Sequence, residues 1–571
     1  MKHKIQFFLV LALTLLVSWV TSTSPQVRNP PQLAQPSMTS DIQVKATSSA
    51  TPFPPEHSIS PTRVTSTPVS KPVKVAATES SELASLSAAL LPAYHADIQE
   101  MAKATRYTLN VTIANDLQHV RGNELVTYFN RTGYIIRDLM LRLYPNTEYL
   151  GGEMHIYNVQ VGGLPASIQP LMRPVTVANN SVNLGVADLS VVSITLALPV
   201  LPGQSISLSM DYVITIPMQA TSGYRTFGWA DQVLALPQSY AMLPLRVKGN
   251  WLVDAAPTYG DIVAAETSLY KVHIEAPSDV QVVSSGVCSD VSFTQREGAR
   301  ATPDPPLTEM DCVAGPVRDF AIHASRLYEV VTSTVTAAGG KITVSSYYLP
   351  GHRQAAEQVL GYASSSLLFY EHEFGVYPYR EFKVFPSATI AGGIEYPMVA
   401  GVLDTLYGAD PVYLEWIVAH ETAHQWWYGM IGSDQINQPW LDESLAQYST
   451  LMYMEHRYGD AFASELREKR LVERYKAELV AGNDTIVDQP TSSFERGAYF
   501  PIVYGKGPLF YDEVRRLVGS ARFTEWLHSY FEKNRYGFVE RDDLLTAADE
   551  TGIGVIVRQS FDKWMHGINV Q

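Results

Sequence analysis

Short runs of alternating apolar and polar residues dominate the chain from Tyr107 to about Ser325. Examples are YTLNVTIA, ELVTYF, SITLALPV and ISLSMDYVITI, and residues of the types Asn, Gly, Pro and Asp cluster between them. Alternation with a period of two, bounded by turn residues, is typical of antiparallel strands with one buried face. This part of the chain, residues 90–326, is therefore predicted to form an all-β domain.

The hydrophobic period changes after about residue 327. A strand-like stretch, KITVSSYYL, precedes HRQAAEQVLGYASSSLLFYEHEFG, whose apolar residues recur every three or four positions as on one face of a helix. A second strand-like stretch, EFKVFPSAT, follows, and QSFDKWM has the pattern of a last amphipathic helix. Further helices are predicted at about 411–429, 440–458 and 508–518. We expect residues 327–571 to form a mainly helical α+β domain.

The first 22 residues have the pattern of an export signal. Two lysines precede an apolar run from about Ile5 to Val20, and small polar residues follow. The run is short for a membrane span, which needs roughly 20 apolar residues. Trp19 nevertheless suits a membrane interface, and no A-x-A cleavage site is present. We expect an exported protein that is either secreted after cleavage or anchored at the outer face of the membrane by this segment.

Residues 23–89 are rich in Ser, Thr and Pro, as in SSATPFPPEHSISPTRVTSTPVSKP. Such a segment has too little apolar surface to offset the entropy lost on ordering. It is therefore predicted to be a disordered linker that spaces the folded part of the protein from a membrane or cell wall.

Length and charge restrict the classes of function. A chain of 571 residues is too long for one ordinary core, so more than one domain is expected. Asp and Glu outnumber Lys and Arg by 57 to 42, the formal net charge is −15, and no long basic run is present. Nucleic acid is therefore not expected as a partner, because it favours a clustered basic surface.

The sequence contains two cysteines, Cys288 and Cys312. In an exported protein an even number favours a disulfide, and two unrelated buried thiols are the alternative. Two cysteines do not supply the four thiolates of a structural zinc site.

The stretch VAHETAHQWW contains His420, Glu421 and His424 in the pattern His-Glu-x-x-His. Its apolar neighbours indicate a buried helix, on which residues four positions apart lie on one face, so two imidazoles can bind one ion. A divalent ion then needs a third ligand and an open position for water. A chance match is the alternative, because the chain contains 14 histidines.

The next predicted helix offers the third ligand. Glu443, in QPWLDESLAQY, follows His424 by 19 positions (443 − 424), after the turn GSDQINQP. A helix–turn–helix of this length can fold the second helix back on the first. Two histidines, one glutamate and one open position form a hydrolytic zinc arrangement. A solvated or ion-paired residue is the alternative for Glu443 taken alone.

HETAH, eighteen intervening residues and the glutamate of WLDES together resemble the gluzincin aminopeptidases, the family of aminopeptidase N. The usual family pattern at the third ligand is Trp-Leu-Asn-Glu-Gly, and neither change here removes a ligand. LRLYPN, GPVRDFAIHAS and FGVYPY agree, so the resemblance covers about residues 105–570. It implies a thermolysin-like catalytic domain with one Zn²⁺ per chain. The sequence ends after this domain, so we expect a short form that lacks the C-terminal helical domain of larger members.

The family also carries a Gly-x-Met-Glu-Asn motif on an edge strand before the zinc helix, and this chain has GGIEYP at 392–397. By that similarity Glu395 would bind the free α-ammonium of the substrate, and the Gly392–Gly393 backbone would align the peptide by strand addition. Tyr396 replaces the family asparagine and is expected to alter the fine geometry of amine recognition. Without the resemblance, a surface turn is the default interpretation of this stretch.

Tyr504 lies in VYGKGPLF, 61 positions beyond Glu443 (504 − 443), and matches the Tyr-x-Lys-Gly context of the family. By that similarity its phenol would donate a hydrogen bond to the oxyanion of the tetrahedral intermediate. Because the chain contains 32 tyrosines, packing is the default role for any one of them, and the YGKG context selects this residue.

The resemblance implies a zinc-dependent aminopeptidase that hydrolyses the N-terminal peptide bond of peptides with a free N-terminus. Zinc would activate a water molecule, with Glu421 as general base. A zinc endopeptidase or another zinc hydrolase is the nearest alternative, and blocking the N-terminus of a test peptide separates the two. A cell-surface binding module with a structural or vestigial metal is disfavoured, because a structural site is usually closed by four protein ligands.

Overall fold

The computed structural model describes residues 79–176, 183–219, 223–289, 292–294, 306–495 and 497–570. All of these residues belong to the unit Val75–Gln571. The predicted signal segment, residues 1–22, and the predicted linker as far as residue 78 lie outside the described ranges. Among the helices in those ranges, none has the length and apolar character needed to cross a membrane.

The predicted linker extends too far toward the C-terminus. Glu79–Leu86 forms helix α1, and Ser87–Ala89 forms a 3-10 turn. Leu83 and Leu86 are 4% and 1% exposed because α1 packs against the β domain. With Leu90 they recur at spacings of three and four residues, as on one helix face. The prediction of disorder is therefore wrong over this stretch, where the serine content hid a short amphipathic helix.

After helix α2 (His95–Glu100), the described part of the β domain consists of short strands joined by turns. In chain order the strands are β1 (Thr105–Ile113), β2 (His119–Phe129), β3 (Ile136–Arg142), β4 (Glu153–Val161), β5 (Leu164–Pro165), β6 (Gln169–Thr176), β7 (Asn183–Val200), β8 (Ser205–Thr215), β9 (Gly228–Ala230), β10 (Val233–Pro237), β11 (Arg246–Val247), β12 (Asn250–Trp251), β13 (Ser268–Pro277), β14 (Gln281–Ser284), β15 (Val287–Cys288), β16 (Ser292–Thr294), β17 (Leu307–Val317) and β18 (Ala321–Ser325).

The largest sheet of the β domain has the strand order β15-β17-β13-β1-β2-β8-β4-β5, with β16 also paired to β17. Its pairs are antiparallel except for β1 and β13, which run parallel with Tyr107 opposite Tyr270. Smaller sheets have the orders β14-β18-β10-β9 and β3-β7-β6. Cys288 and Cys312 lie opposite each other on β15 and β17 and form a disulfide. The predicted pairing is confirmed over the alternative of two separate thiols.

The mainly helical C-terminal domain follows, with a mixed sheet and a set of helices. Its described strands are β19 (Glu329–Ala337), β20 (Gly340–Tyr348), β21 (Glu381–Ser387), β22 (Gly393–Tyr396), β23 (Val399–Leu403), β24 (Gly432–Ser433) and β25 (Phe538–Val539). Its described helices are α3 (Arg353–Phe374), α4 (Pro411–Ala423), α5 (Trp440–Tyr458), α6 (Asp460–Arg467), α7 (Glu473–Ala481), α8 (Tyr499–Pro501), α9 (Gly507–Val518), α10 (Ser520–Asn534), α11 (Arg541–Glu550) and α12 (Gly554–Phe561).

The mixed sheet has the strand order β19-β20-β21-β23-β22, which leaves β22 at its edge. Strand β22 pairs antiparallel with β23, and helix α4 packs against both. The α4 helix is shorter than the predicted 411–429, because the backbone tightens after Ala423. The amides of Gln425 and Trp426 bond carbonyls three positions earlier, at 3.1 and 3.0 Å, and Tyr428 has a φ of 145°.

A fully buried arginine connects the two domains. Arg318, between β17 and β18, donates from Nη1 to the Ala265 carbonyl (3.0 Å) of its own domain. Its Nε donates to the Tyr428 carbonyl (2.7 Å) and its Nη2 to the Met430 carbonyl (3.3 Å), both in the segment after α4. Nη2 also donates to the Gly537 carbonyl beside β25. One guanidinium therefore fixes the end of the α4 segment against the β domain.

We expect Arg318→Met to lower the free energy of unfolding by at least about 3 kcal/mol, because it leaves several buried carbonyls without a donor, at ~1–3 kcal/mol each. Denaturant midpoints measured by tryptophan fluorescence check this. The control is Arg326→Met, which removes an exposed ion pair with Asp279 (2.7 Å) and should cost about 0–1 kcal/mol. Equal losses in the two variants would contradict a special role for Arg318.

Candidate active site

Helix α4 and its C-cap residue, His424, place both predicted ligand histidines on one face. Asp410 caps its first turn by accepting a hydrogen bond from the Val412 amide at 3.0 Å, and a proline follows the cap. Beyond the first turn the helix is buried. The Nε2 atoms of His420 and His424 are 3.2 Å apart, as expected for imidazoles one turn apart.

Helix α5 brings the third predicted ligand to the same point. Glu443 Oε2 lies 3.3 Å from His420 Nε2 and 3.4 Å from His424 Nε2. With the two nitrogens 3.2 Å apart, the three atoms form a nearly equilateral triangle. Bonds of about 2.0–2.1 Å to one tetrahedral ion separate its ligand atoms by roughly 3.3–3.4 Å. The triangle therefore has the size of one face of a zinc coordination tetrahedron.

Polar contacts between α4 and α5 hold this triangle. The buried Glu415 carboxylate of α4 accepts a hydrogen bond from the Tyr453 hydroxyl (2.7 Å) and pairs with Arg457 Nε (2.5 Å), both on α5. The indole of Trp427 donates to the Ser449 hydroxyl at 2.9 Å. These contacts set the distance between the histidines of one helix and the glutamate of the other.

A backbone carbonyl orients one of the imidazoles. His424 Nδ1 lies 3.0 Å from the Trp427 carbonyl oxygen, so this nitrogen carries the proton and donates it. The lone pair of Nε2 is then directed toward His420 and Glu443. A ligand histidine whose second nitrogen is held by a carbonyl is the usual arrangement around a protein-bound metal ion.

Carboxyl groups crowd the volume around the triangle. Burial, followed by the charge of Asp261, raises the pKa of Glu395 well above its ordinary value. Burial and then Glu443 raise the pKa of Asp442 to about 7, and burial raises the pKa of Glu421. Burial also opposes ionisation of Glu443, but hydrogen bonds to the two histidines outweigh it and lower its pKa. This crowding of carboxyl groups, together with two imidazoles, fits a divalent cation, whose charge would favour their ionised forms.

Tyr504 lies beside the ligand set, on the π-helical turn Ile502–Lys506. Its hydroxyl donates a hydrogen bond to Glu443. The Ser444 hydroxyl donates to the Val503 carbonyl at 2.6 Å, so α5 holds this turn directly next to the ligand. Ser444 is one of the two departures from the usual Trp-Leu-Asn-Glu-Gly pattern, and its hydroxyl anchors the turn that positions Tyr504.

The Lys506 side chain fixes the same turn from its other side. It is fully buried and reaches the Asp484 carboxylate and the carbonyls of Thr485 and Gly567, each at 2.7 Å. The lysine of the YGKG motif is thus a structural residue that ties the turn to the C-terminal segment.

The edge strand β22 passes directly over the α4 helix. A Cβ atom added at Gly393 would lie 2.1 Å from Glu421 Oε1, so only glycine lets the strand approach this carboxylate. Gly392 has a φ of 106°, in the region that favours glycine. Glu395 accepts a hydrogen bond from Gln435 Nε2 at 3.3 Å. The structure therefore brings the GGIE residues to the predicted ligands.

The ring of Tyr396 packs into the interface with the β domain. Its ring is 3% exposed and packs 5.2 Å, centroid to centroid, from the ring of His323 on β18 of the other domain. Its carbonyl accepts a hydrogen bond from Gln425 Nε2 at 3.0 Å, and the Gln425 oxygen accepts from the Met398 amide at 2.7 Å. Tyr396 therefore contributes to the domain interface, while Gln425, next to a ligand histidine, clamps β22 to the α4 segment.

Asp261 is a site residue that the sequence pattern did not reveal. It lies on a β-domain loop whose Tyr259 hydroxyl donates to the carbonyls of Thr491 (3.0 Å) and Phe494 (2.8 Å). Burial and then the Glu443 carboxylate raise the pKa of Asp261 well above its ordinary value. No motif marks PTYGD in the sequence, because its position depends on docking of one domain on the other. Gln435 was missed for the related reason that its role depends on neighbours distant in sequence.

Comparison with known proteins agrees with this arrangement. Residues 405–564 match the family described as Peptidase family M1 domain. Endoplasmic reticulum aminopeptidase 2 of Bos taurus is 23% identical over 224 residues, covering 37% of this chain and 24% of the relative. Aminopeptidase N of Lactococcus lactis subsp. lactis is 30% identical over 156 residues, covering 26% and 18%. The matches thus span less than half the length of these curated relatives.

Solved structures show the same fold. An M1 zinc metallopeptidase from Deinococcus radiodurans aligns with a TM-score of 0.56 at 17% identity, covering 82% of this chain and 95% of that chain. A two-domain M1 zinc metallopeptidase bound to L-arginine aligns with a TM-score of 0.58, with the same identity and coverage. The predicted fold class, an all-β domain followed by a thermolysin-like catalytic domain, is confirmed.

The fold is that of the two-domain M1 zinc metallopeptidases, and residues 405–564 match a peptidase family M1 domain. The predicted resemblance to the aminopeptidase N-like gluzincins is confirmed.

We expect His420→Ala to abolish tight binding of one divalent ion per chain, because it removes one corner of the ligand triangle. Metal content after dialysis, measured by plasma mass spectrometry, checks this. His372→Ala is the control, since His372 is exposed on α3 and should leave the metal content unchanged. Full metal occupancy in His420→Ala would show that the ion binds elsewhere.

Proposed function

We propose that this protein is a zinc-dependent aminopeptidase that removes the N-terminal residue of peptides. The observation that carries the proposal is the approach of β22 to helix α4. One short strand carries Glu395, which lies close to His424 and Glu421, and Gly393, which lies against Glu421. A peptide that adds to this edge as a strand would place its amine at the Glu395 carboxylate. Its first peptide unit would then lie beside Glu421, the proposed general base.

His420, His424 and Glu443 would hold the zinc ion, for which their donor atoms and spacing are suited. When bound, zinc polarises the scissile carbonyl and lowers the pKa of the attacking water. Glu421 takes the proton from that water and passes it to the departing amine. Its oxygen atoms lie close to those of Glu395 and to His424, so it borders the same reaction volume.

Glu395 fixes where the substrate is cut. Its carboxylate pairs with the free α-ammonium, and the backbone of Gly393 aligns the first peptide unit beside Glu421. Glu395 is buried beside other acidic groups, so a positively charged amine is stabilised there. A blocked, neutral N-terminus cannot form this charge-assisted hydrogen bond. The enzyme is therefore limited to one residue for each cut.

Tyr504 stabilises the oxyanion that forms on the scissile carbonyl. Its phenol lies next to Glu443, and the anchored π-helical turn keeps the phenol in this position before substrate binds. A donor fixed before the reaction is worth more than one that must reorganise during it.

We also propose that the protein acts outside the cytoplasm, either secreted or tethered to the membrane through residues 1–22. The sequence pattern of that segment supports export. The disulfide between Cys288 and Cys312 supports it independently, because such bonds persist in oxidising compartments.

The proposal is tested directly by comparing a peptide that has a free N-terminus with the same peptide after N-acetylation. We expect the zinc-loaded protein to release the first residue of the free peptide and to leave the acetylated one intact. Mass spectrometry of the products measures both. Internal cleavage of the acetylated peptide would instead identify a zinc endopeptidase.

We expect Glu421→Gln to lower kcat by about 10³-fold or more while zinc content stays at the wild-type level, because the amide cannot accept the water proton. Steady-state hydrolysis of aminoacyl anilides and metal analysis of the same sample check this. Glu473→Gln, an exposed change on α7, is the control. Near-wild-type turnover in Glu421→Gln would remove this residue from the mechanism.

A further inference from the structure

Two arginines beside the site form no ion pair with an acidic residue within the described part of the chain, although the charge of Asp410 acts on Arg470. Arg474, at the start of α7, is partly buried and forms no hydrogen bond or ion pair with any of the described residues. A Cβ atom added at Gly505 would lie 3.2 Å from Arg474 Cβ, so this arginine packs against the residue that follows Tyr504. Burial lowers the pKa of Arg474, and Tyr413 and Tyr504 are the ionisable neighbours that oppose this effect.

Arg470, one turn earlier, strengthens the positive character of this region. Its guanidinium lies over the rings of Tyr413 (4.6 Å) and Trp416 (5.0 Å), and it too forms no ion pair within the described ranges. Burial and then the charge of Arg474 lower its pKa to about 10. Two cations that repel each other in a partly buried place are stabilised when an anion binds between them.

The position of these arginines relative to β22 indicates which anion they meet. Tyr413 links the two features, because its hydroxyl would lie 3.8 Å from a Cβ atom at Gly392. The edge of β22 therefore leads from Glu395, past Gly393 beside Glu421, to the bend at Gly392, where the Arg470 guanidinium lies over the Tyr413 ring. One end of this edge is acidic and the other is basic.

The length of this strand matches a short peptide. Glu395 and Gly393 are two positions apart on β22, which corresponds to about 7 Å at ~3.3 Å per residue, and the bend at Gly392 follows. An extended tripeptide has about the same length. A zwitterionic tripeptide would place its ammonium at the acidic end and its C-terminal carboxylate at the basic end.

We propose that Arg474, supported by Arg470, binds the C-terminal carboxylate of short peptides, so that peptides of about three residues with both ends free are the preferred substrates. This proposal rests on the proposed aminopeptidase function, which fixes the other end of the peptide at Glu395. Arginine suits the role because its planar guanidinium binds a carboxylate through two parallel hydrogen bonds.

The test compares three substrates: Leu-Gly-Gly with a free C-terminus, the same tripeptide as its C-terminal amide, and leucine anilide. We expect kcat/KM to be about 10-fold or more higher for the acid than for the amide, as one charge-assisted contact implies. In Arg474→Ala the acid-to-amide ratio should fall to about one. Arg474→Lys should keep part of the ratio. The ratio is taken within each variant, so a general loss of activity does not mimic the effect.

Lys476→Ala is the matched control, because Lys476 lies on the same helix but pairs with Glu468 at the surface (2.9 Å). It should leave the ratio unchanged. A wild-type ratio near one, or an unchanged ratio in Arg474→Ala, would overturn the carboxylate site while hydrolysis of the anilide still upheld the aminopeptidase. No hydrolysis of the anilide would instead overturn the proposed function on which this site rests.

Discussion

The collection of five carboxyl groups in one largely buried volume is the constraint on which the site depends. Asp261, Glu395, Glu421, Asp442 and Glu443 come from different parts of the chain and face one another. Five carboxyl groups crowded in this way cannot all ionise unless positive charge lies nearby. Two imidazoles, a divalent ion and the ammonium group of a peptide together would supply that charge. In this view metal binding and amine recognition are parts of a single electrostatic balance.

Both domains take part in maintaining that balance. The β domain contributes Asp261 on a loop that Tyr259 clamps to the catalytic domain, and Arg318 holds the segment that follows α4. Gln425 joins β22 to the same segment. Strand β22, helix α4 and the β-domain loop are thus fixed to one another through side chains that donate to or accept from the backbone. A shift between the domains would separate Asp261 from Glu395 and the ligand residues.

The sequence predicted the parts of this site that local geometry determines. Residues four apart on a helix share a face, so the spacing of His420 and His424 alone was enough to pair them. The residues whose role depends on packing could not be found in this way. Asp261 lies in a loop with no motif, and Arg474 is distinguished from other arginines only by its surroundings in the fold. The helix at 79–86 was misjudged for the same reason, because burial against a distant element is not visible in local composition.

In the proposed mechanism zinc, Glu421 and Glu395 face one peptide that lies along β22. The decisive test is a crystal structure of the zinc-loaded Glu421→Gln protein with a bound tripeptide, in which anomalous diffraction at the zinc edge locates the metal. We expect a zinc peak within bonding distance of His420, His424 and Glu443, and the peptide ammonium on Glu395. A peptide bound in the reverse direction, or a zinc peak away from these three residues, would contradict this mechanism.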